Sequence, residues 1–151
     1  MHTPKALLTI VWAGLIAGGL DITAAFAVYG FFGLKPMRLL QGIAGGLLGP
    51  RTFEGGLQTA FLGLICQFII ALSAAAVYFA ASRGLPFLVE HAVVSGFLYG
   101  VAVYFFMNRI VVPLSAATKY PFSFKMMFIG VVIHMFCIGL PISLIVRRFS
   151  R

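Results

Sequence analysis

A chain of 151 residues that is 62% hydrophobic and only 9% charged is too apolar to fold as a soluble domain. Eleven Lys and Arg residues against three Asp and Glu residues give a net charge of +8. The basic residues lie at the ends of apolar runs, where they suit the lipid bilayer and its headgroups, and this argues against nucleic acid as a partner. We therefore expect an all-α integral membrane protein, a four-helix bundle that forms a single transmembrane domain over residues 1–151.

The first apolar run predicts a spanning helix over residues 6–33. Gly14, Gly18, Asp21 and Ala25 are spaced by four, three and four residues, so they share one stripe of that helix. Two glycines four residues apart allow another helix to approach closely, and the stripe is therefore expected to face protein. An aspartate near mid-membrane costs about 2.5–3.5 kcal/mol on insertion scales, so Asp21 needs a partner, a proton or a function.

The next segment predicts a short helix over residues 36–48, with Pro36 at its first position and Gly49-Pro50 as its stop. One face would be apolar and consists of Met37, Leu40, Ala44 and Leu47. The opposite face consists of Arg38, Gln41, Gly42 and Gly45. We interpret this segment as an amphipathic helix lying in the membrane interface, with a re-entrant element as the alternative.

Three further apolar runs predict spanning helices over residues 57–81, 86–112 and 126–146. Each run contains small residues spaced so that another helix can pack closely against them. Together with the first helix they provide the candidate packing glycines Gly14, Gly18, Gly63, Gly96, Gly100 and Gly130. Cys66 and Cys137 fall inside these runs and are expected to be small buried side chains, with no disulfide between them.

Polar side chains of different spans are expected at a similar depth. At about 1.5 Å of rise per residue, Asp21 lies about 22 Å from the side of the termini, Gln67 about 21 Å and His134 about 18 Å. Asp21 and His134 form the expected pair, because a neighbouring carboxylate stabilises the charged imidazole and the two groups can exchange a proton. The candidate transport or proton site adds Tyr99 and Tyr104, which bracket this depth in the third span. A structural cluster that only sets helix register is the alternative.

A second candidate site lies near the opposite membrane face and consists of Arg109, Asn108 and Arg38. These residues would bind an anionic headgroup or gate a solute route, whereas snorkelling of an arginine at a helix end is the simpler interpretation. The motifs of serine hydrolases and zinc proteases are missing from the sequence. We therefore expect no catalytic site, no metal, no cofactor and no enzymatic activity.

Six segments spread over most of the chain provide a family resemblance. They are the Gly14-to-Asp21 block, Met37-Arg38-Leu-Leu-Gln41, Tyr78-Phe-Ala-Ala-Ser-Arg83, Tyr104-Phe-Phe-Met-Asn108, Pro113-Leu-Ser and Gly139-Leu-Pro141. With these segments the chain resembles a group of uncharacterised short four-helix bacterial inner-membrane proteins. It is more distantly similar to the YagU-like inner-membrane family, through the glycines of the first helix and His134. The resemblance implies the bacterial inner membrane and supplies no mechanism.

Four spans place both termini on one side of the membrane. The basic residues of that side are Lys5, Arg83, Arg147, Arg148 and Arg151. Those of the other side are Lys35, Arg38, Arg51, Arg109, Lys119 and Lys125, so the charge bias is nearly balanced and only the dense final cluster favours cytoplasmic termini. The leading functional hypothesis is a small proton-linked transporter or channel-like protein. The alternative is a non-catalytic accessory or structural subunit of a larger membrane complex. The expected partners are the lipid bilayer and either a second copy of the chain or a larger membrane complex.

Overall fold

Four helices of the computed structural model, which describes residues 3–151, are long and apolar enough to cross a membrane. They are α1 (Thr3–Phe31), α3 (Gly56–Gly84), α4 (Ala92–Leu114) and α5 (Phe124–Ser150). A shorter helix, α2 (Pro36–Leu48), lies between the first two spans, where the sequence predicts it. The chain is therefore a small multi-pass membrane protein with an all-α fold, as its composition predicts.

The third spanning helix begins later than the sequence pattern predicts. The expected span starts at residue 86, whereas Phe87–Glu90 forms a separate helical turn. The backbone of His91 then leaves the helical region, with φ −108° and ψ 48°, so α4 starts at Ala92. Hydropathy alone does not locate this break, because apolar residues both precede and follow the Glu90-His91 pair.

α4 and α5 each contain a π-helical segment that ends shortly before a proline. The segments are Met107–Val111, ahead of Pro113, and His134–Gly139, ahead of Pro141. Proline has no backbone N–H, and its ring clashes with the carbonyl group four residues earlier. A widened turn accommodates that clash, and π-helical turns of this kind occur frequently at functional sites.

The spans pack in a fixed order of neighbours. α1 packs against both α3 and α5, α3 also packs against α2, and α4 packs mainly against α5. α3 and α4 share few contacts, which leaves a gap between them. The core cluster where α1, α3 and α5 meet consists of Ala13, Ala17, Ala74, Ala75, Tyr78, Phe79, Ile138, Ile142 and Val146.

Glycines lie where the helix backbones approach most closely. A Cβ atom at Gly14 would come within 2.6 Å of the Leu72 side chain of α3. One at Gly63 would overlap the main-chain carbonyl of Leu40 in α2. The other candidate packing glycines also lie at helix contacts: Gly18 on α3, Gly96 and Gly100 on α5, and Gly130 on Tyr104 of α4. Large apolar side chains such as Phe61, which is 63% exposed, point outward as expected toward lipid.

The two predicted faces of α2 do not separate into one buried and one exposed side. Gln41 and Gly45 of the polar face and Ala44 of the apolar face are buried, whereas Met37 and Leu47 are 40% and 69% exposed. Gln41 turns inward because its Nε2 donates a hydrogen bond to the carbonyl oxygen of Gly56, at 3.1 Å. The Thr52 hydroxyl in turn donates to the carbonyl oxygen of Gln41, at 2.7 Å. These bonds attach α2 to the start of α3 by its polar side.

Candidate functional site

Asp21 of α1 and Gln67 of α3 form a buried hydrogen bond across the helix interface. The Gln67 Nε2 donates to the Asp21 Oδ2 at 2.7 Å, and both side chains are buried. The helices approach closely at this level because Gly18, one turn before Asp21, lies directly against Ala71, one turn after Gln67. Hydrogen bonds to an ionised acceptor are short and roughly twice as strong as neutral ones.

The second carboxyl oxygen of Asp21 has no hydrogen-bond partner among residues 3–151. The Oδ1 atom is shielded by surrounding atoms, and no donor of this part of the chain reaches it. A buried polar atom without a partner costs about 1–3 kcal/mol, so most native structures avoid the arrangement. Asp21 therefore retains a hydrogen-bonding capacity that its structural role does not use.

His134 does not form the expected direct pair with Asp21. Within residues 3–151 no hydrogen bond or ion pair joins the two side chains. The His134 Nδ1 instead lies 2.9 Å from the carbonyl oxygen of Gly130, one turn earlier in α5. A carbonyl oxygen only accepts hydrogen bonds, so the His134 Nδ1 carries the hydrogen of this bond. The Tyr104 ring meets the imidazole edge to face, with the ring centroids 5.4 Å apart.

Asp21, Gln67 and His134 line one cavity of about 970 Å³. Residues of all five helices line it, and its walls are mostly apolar, with Ile70, Val103 and Ile138 among them. Toward α2 the lining changes to exposed side chains, including Arg38 and Tyr120. His134 therefore shares a compartment with Asp21 although it does not touch it.

Tyr29 lines the same cavity, although the sequence analysis did not include it among the candidate site residues. It lies two helical turns after Asp21 on the same stripe of α1, about 12 Å along the helix axis. The spacing of eight residues between Asp21 and Tyr29 is the sequence feature that could have identified Tyr29 as a residue on the same side of α1. Tyr29 extends the polar lining from Asp21 toward the α2 end of the cavity.

The other two candidate site tyrosines lie outside this cavity. The Tyr99 hydroxyl donates to the carbonyl oxygen of Ala74 at 2.6 Å, and its ring packs on Tyr78 with centroids 4.9 Å apart. The Tyr78 hydroxyl donates to the carbonyl oxygen of Leu88 at 2.9 Å. Tyr104 packs on His134 and lines a different cavity. Tyr99 thus connects α3 to α4 at the end where the gap closes.

Replacing Tyr99 with Phe is expected to lower stability by about 0.6–1.5 kcal/mol, because one interhelical hydrogen bond is lost and the ring contact is retained. Unfolding by SDS in mixed micelles measures the loss. Proton flux in proteoliposomes should stay at the wild-type level, since Tyr99 does not line the cavity. A large drop in flux with unchanged stability would show that Tyr99 belongs to the transport site.

The residues of the second candidate site are divided between two cavities. The Arg38 guanidinium lies 5.3 Å from the Phe53 ring centroid at the α2 end of the large cavity. Arg109 lines a second cavity of about 640 Å³ and lies 5.5 Å from the Phe122 ring centroid. Asn108 lines both, and its Nδ2 donates to the carbonyl oxygen of Tyr104 at 3.0 Å. Arg38 and Arg109 therefore do not form one site.

No family model, no curated protein and no solved structure matches this chain. The buried Asp21–Gln67 pair and the cavity beside it are thus the features from which a function can be inferred.

Proposed function

We propose that this protein is a small proton-linked transporter or channel-like protein of the bacterial inner membrane, with both termini in the cytoplasm and Asp21 as the group that takes up and releases the proton. The main supporting observation is the buried Asp21–Gln67 pair, with one carboxyl oxygen unpaired, on the wall of a cavity of about 970 Å³. Ionisable side chains inside spans are costly, and they commonly mark ion or substrate pathways.

In this mechanism the Gln67 amide holds the charged carboxylate through Oδ2, and the proton binds at Oδ1, which has no donor. Protonation removes the charge and weakens the hydrogen bond that Gln67 donates to Asp21. The contact between α1 and α3 would therefore depend on whether Asp21 is protonated. His134 lines the same cavity, and water in the cavity would link its Nε2 to Asp21. The polar end near Arg38 and Tyr29 would be the route to the membrane surface.

The cavity supports transport over a purely structural role for Asp21. A packed register-setting cluster needs no open space beside it, whereas here the three polar groups of the pathway share one compartment. An accessory subunit would not need the unpaired oxygen of Asp21 either. Purification of a larger complex in mild detergent, with no flux from the isolated chain, would favour the accessory role.

A pair of glycine variants tests whether flux passes through the cavity. Gly42 lines the cavity and Gly19 does not, and at both positions no heavy atom lies within 4 Å of where a Cβ would stand. Gly42→Phe is expected to fill the cavity and lower proton flux by about tenfold or more, because conduction depends on the open cross-section. Gly19→Phe adds the same side chain outside the cavity and should leave flux unchanged.

Flux is measured in proteoliposomes with a trapped pH-sensitive dye, under a potassium diffusion potential set with valinomycin. The wild type should acidify the lumen faster than protein-free liposomes. Equal rates in these two samples would reject the proposal. Equal inhibition by the two glycine variants would reject the cavity as the pathway.

A further inference from the structure

The second cavity has a basic lining without an acidic counterpart. It lies between the end of α4, the connector that follows it and the start of α5, with a volume of about 640 Å³. Its lining includes Arg109 and Lys119 and no Asp or Glu. Among residues 3–151, no acidic side chain lines this cavity beside its two basic residues.

Arg109 has its hydrogen-bonding groups available. Its guanidinium lies over the Phe122 ring, with 5.5 Å from Cζ to the ring centroid, and among residues 3–151 no acid or acceptor pairs with it. Stacking on an aromatic ring orients the planar group and leaves its N–H edges free. A guanidinium held in this way matches a phosphate group, which accepts two parallel N–H bonds.

Lys119 adds a fixed positive charge beside Arg109. Its Nζ donates to the carbonyl oxygens of Val112, Ser115 and Ala117, at 2.9, 2.8 and 2.8 Å. These bonds use all three N–H groups of the ammonium, so Lys119 contributes charge and shape and not a further donor. They also bind the connector to the end of α4, which means that the cavity wall is preformed.

The start of α5 provides a third positive element. Ser123 lines the cavity and caps this helix, its Oγ accepting from the main-chain N–H of Met126 at 3.4 Å. The hydroxyl hydrogen of Ser123 remains available to a ligand. The positive end of the helix dipole points to the same place, and anions bind readily there.

We infer that this cavity binds the phosphate group of an anionic phospholipid, with the Arg109 guanidinium and the Ser123 hydroxyl as donors. The surroundings favour a lipid as the source of the phosphate, because exposed aromatic side chains of the kind found at the membrane boundary surround the site: Tyr120, Phe122 and Phe124 are 75%, 58% and 75% exposed. Phe105 and Met127 line the cavity next to the donors and would contact the acyl chains. This site is separate from Asp21 and does not depend on the transport proposal.

Lipid retention by the purified protein tests the inference. Native mass spectrometry in mild detergent compares phosphatidylglycerol with phosphatidylcholine of the same acyl chains, and the wild type should retain the anionic lipid preferentially. Arg109→Gln should lower that retention by about fivefold, the factor expected for one basic contact near an anionic surface. Arg109→Lys, which keeps the charge and loses the planar fork, should give an intermediate value.

Arg83→Gln is the matched control. Arg83 also packs on a phenylalanine, with 6.0 Å to the Phe79 centroid, but it does not line the cavity. Its loss should leave retention unchanged. Equal retention of the two lipids, or equal losses in the Arg83 and Arg109 variants, would overturn the inference. Displacement of the lipid by millimolar inorganic phosphate would assign the site to a soluble phosphate and would overturn the lipid assignment.

Discussion

Asp21→Asn is expected to reduce proton flux to the level of protein-free liposomes while the protein stays folded. Asparagine has nearly the same shape, and its side-chain oxygen can still accept the hydrogen bond that Gln67 donates at 2.7 Å to Asp21. An amide does not take up or release a proton at physiological pH, so the chemistry is lost and the helix contact is retained. Flux in proteoliposomes and thermal unfolding in detergent, measured on the same preparation, separate the two effects.

Glu90→Gln is the matched control for this charge removal. Glu90 lies in the short turn before α4, does not line the large cavity and is exposed. Its replacement should leave flux unchanged. Wild-type flux in the Asp21 variant would exclude Asp21 as the proton carrier, whereas loss of flux together with unfolding would show that the pair is structural.

Gly139→Ala is expected to be, together with Gly63→Ala, among the most destabilising conservative substitutions of this chain. A Cβ at this position would overlap the main-chain carbonyl of Gly96 and come within 2.9 Å of the Gly100 Cα. Both obstacles are backbone atoms of α4, so no side chain can rotate away and the helices must separate. Inserting atoms into such a packed contact costs about 1–3 kcal/mol, and more where the neighbours are rigid.

The same substitution at Gly19 serves as its control, because a Cβ there meets no atom within 4 Å. Alanine has the higher helix propensity, so Gly19→Ala should leave stability unchanged or raise it by up to about 1 kcal/mol. SDS-induced unfolding in mixed micelles measures both variants. Equal stability of the two would contradict the close backbone contact between α4 and α5.

The sequence alone determined the features that depend on local chain properties. The spans could be predicted because a helix that crosses a bilayer needs about 20 consecutive apolar residues, and such runs can be read directly from the sequence. The short helix α2 could be predicted from the proline at its start and the Gly-Pro pair at its end. The stripe from Gly14 to Asp21 predicted a close helix contact for the same reason, since helical periodicity relates residues three and four apart. The common depth of Asp21 and Gln67 also followed, because depth depends only on helical rise.

Only the tertiary structure decided which of these groups meet. Contact between helices depends on their order and on the rotation of each about its axis, and neither quantity is local in the sequence. Asp21 therefore pairs with Gln67, while the His134 ring, the expected partner, bonds to the carbonyl oxygen of its own helix at Gly130. The inward side of α2 likewise depends on a distant acceptor, the carbonyl oxygen of Gly56, which no amphipathic pattern could reveal.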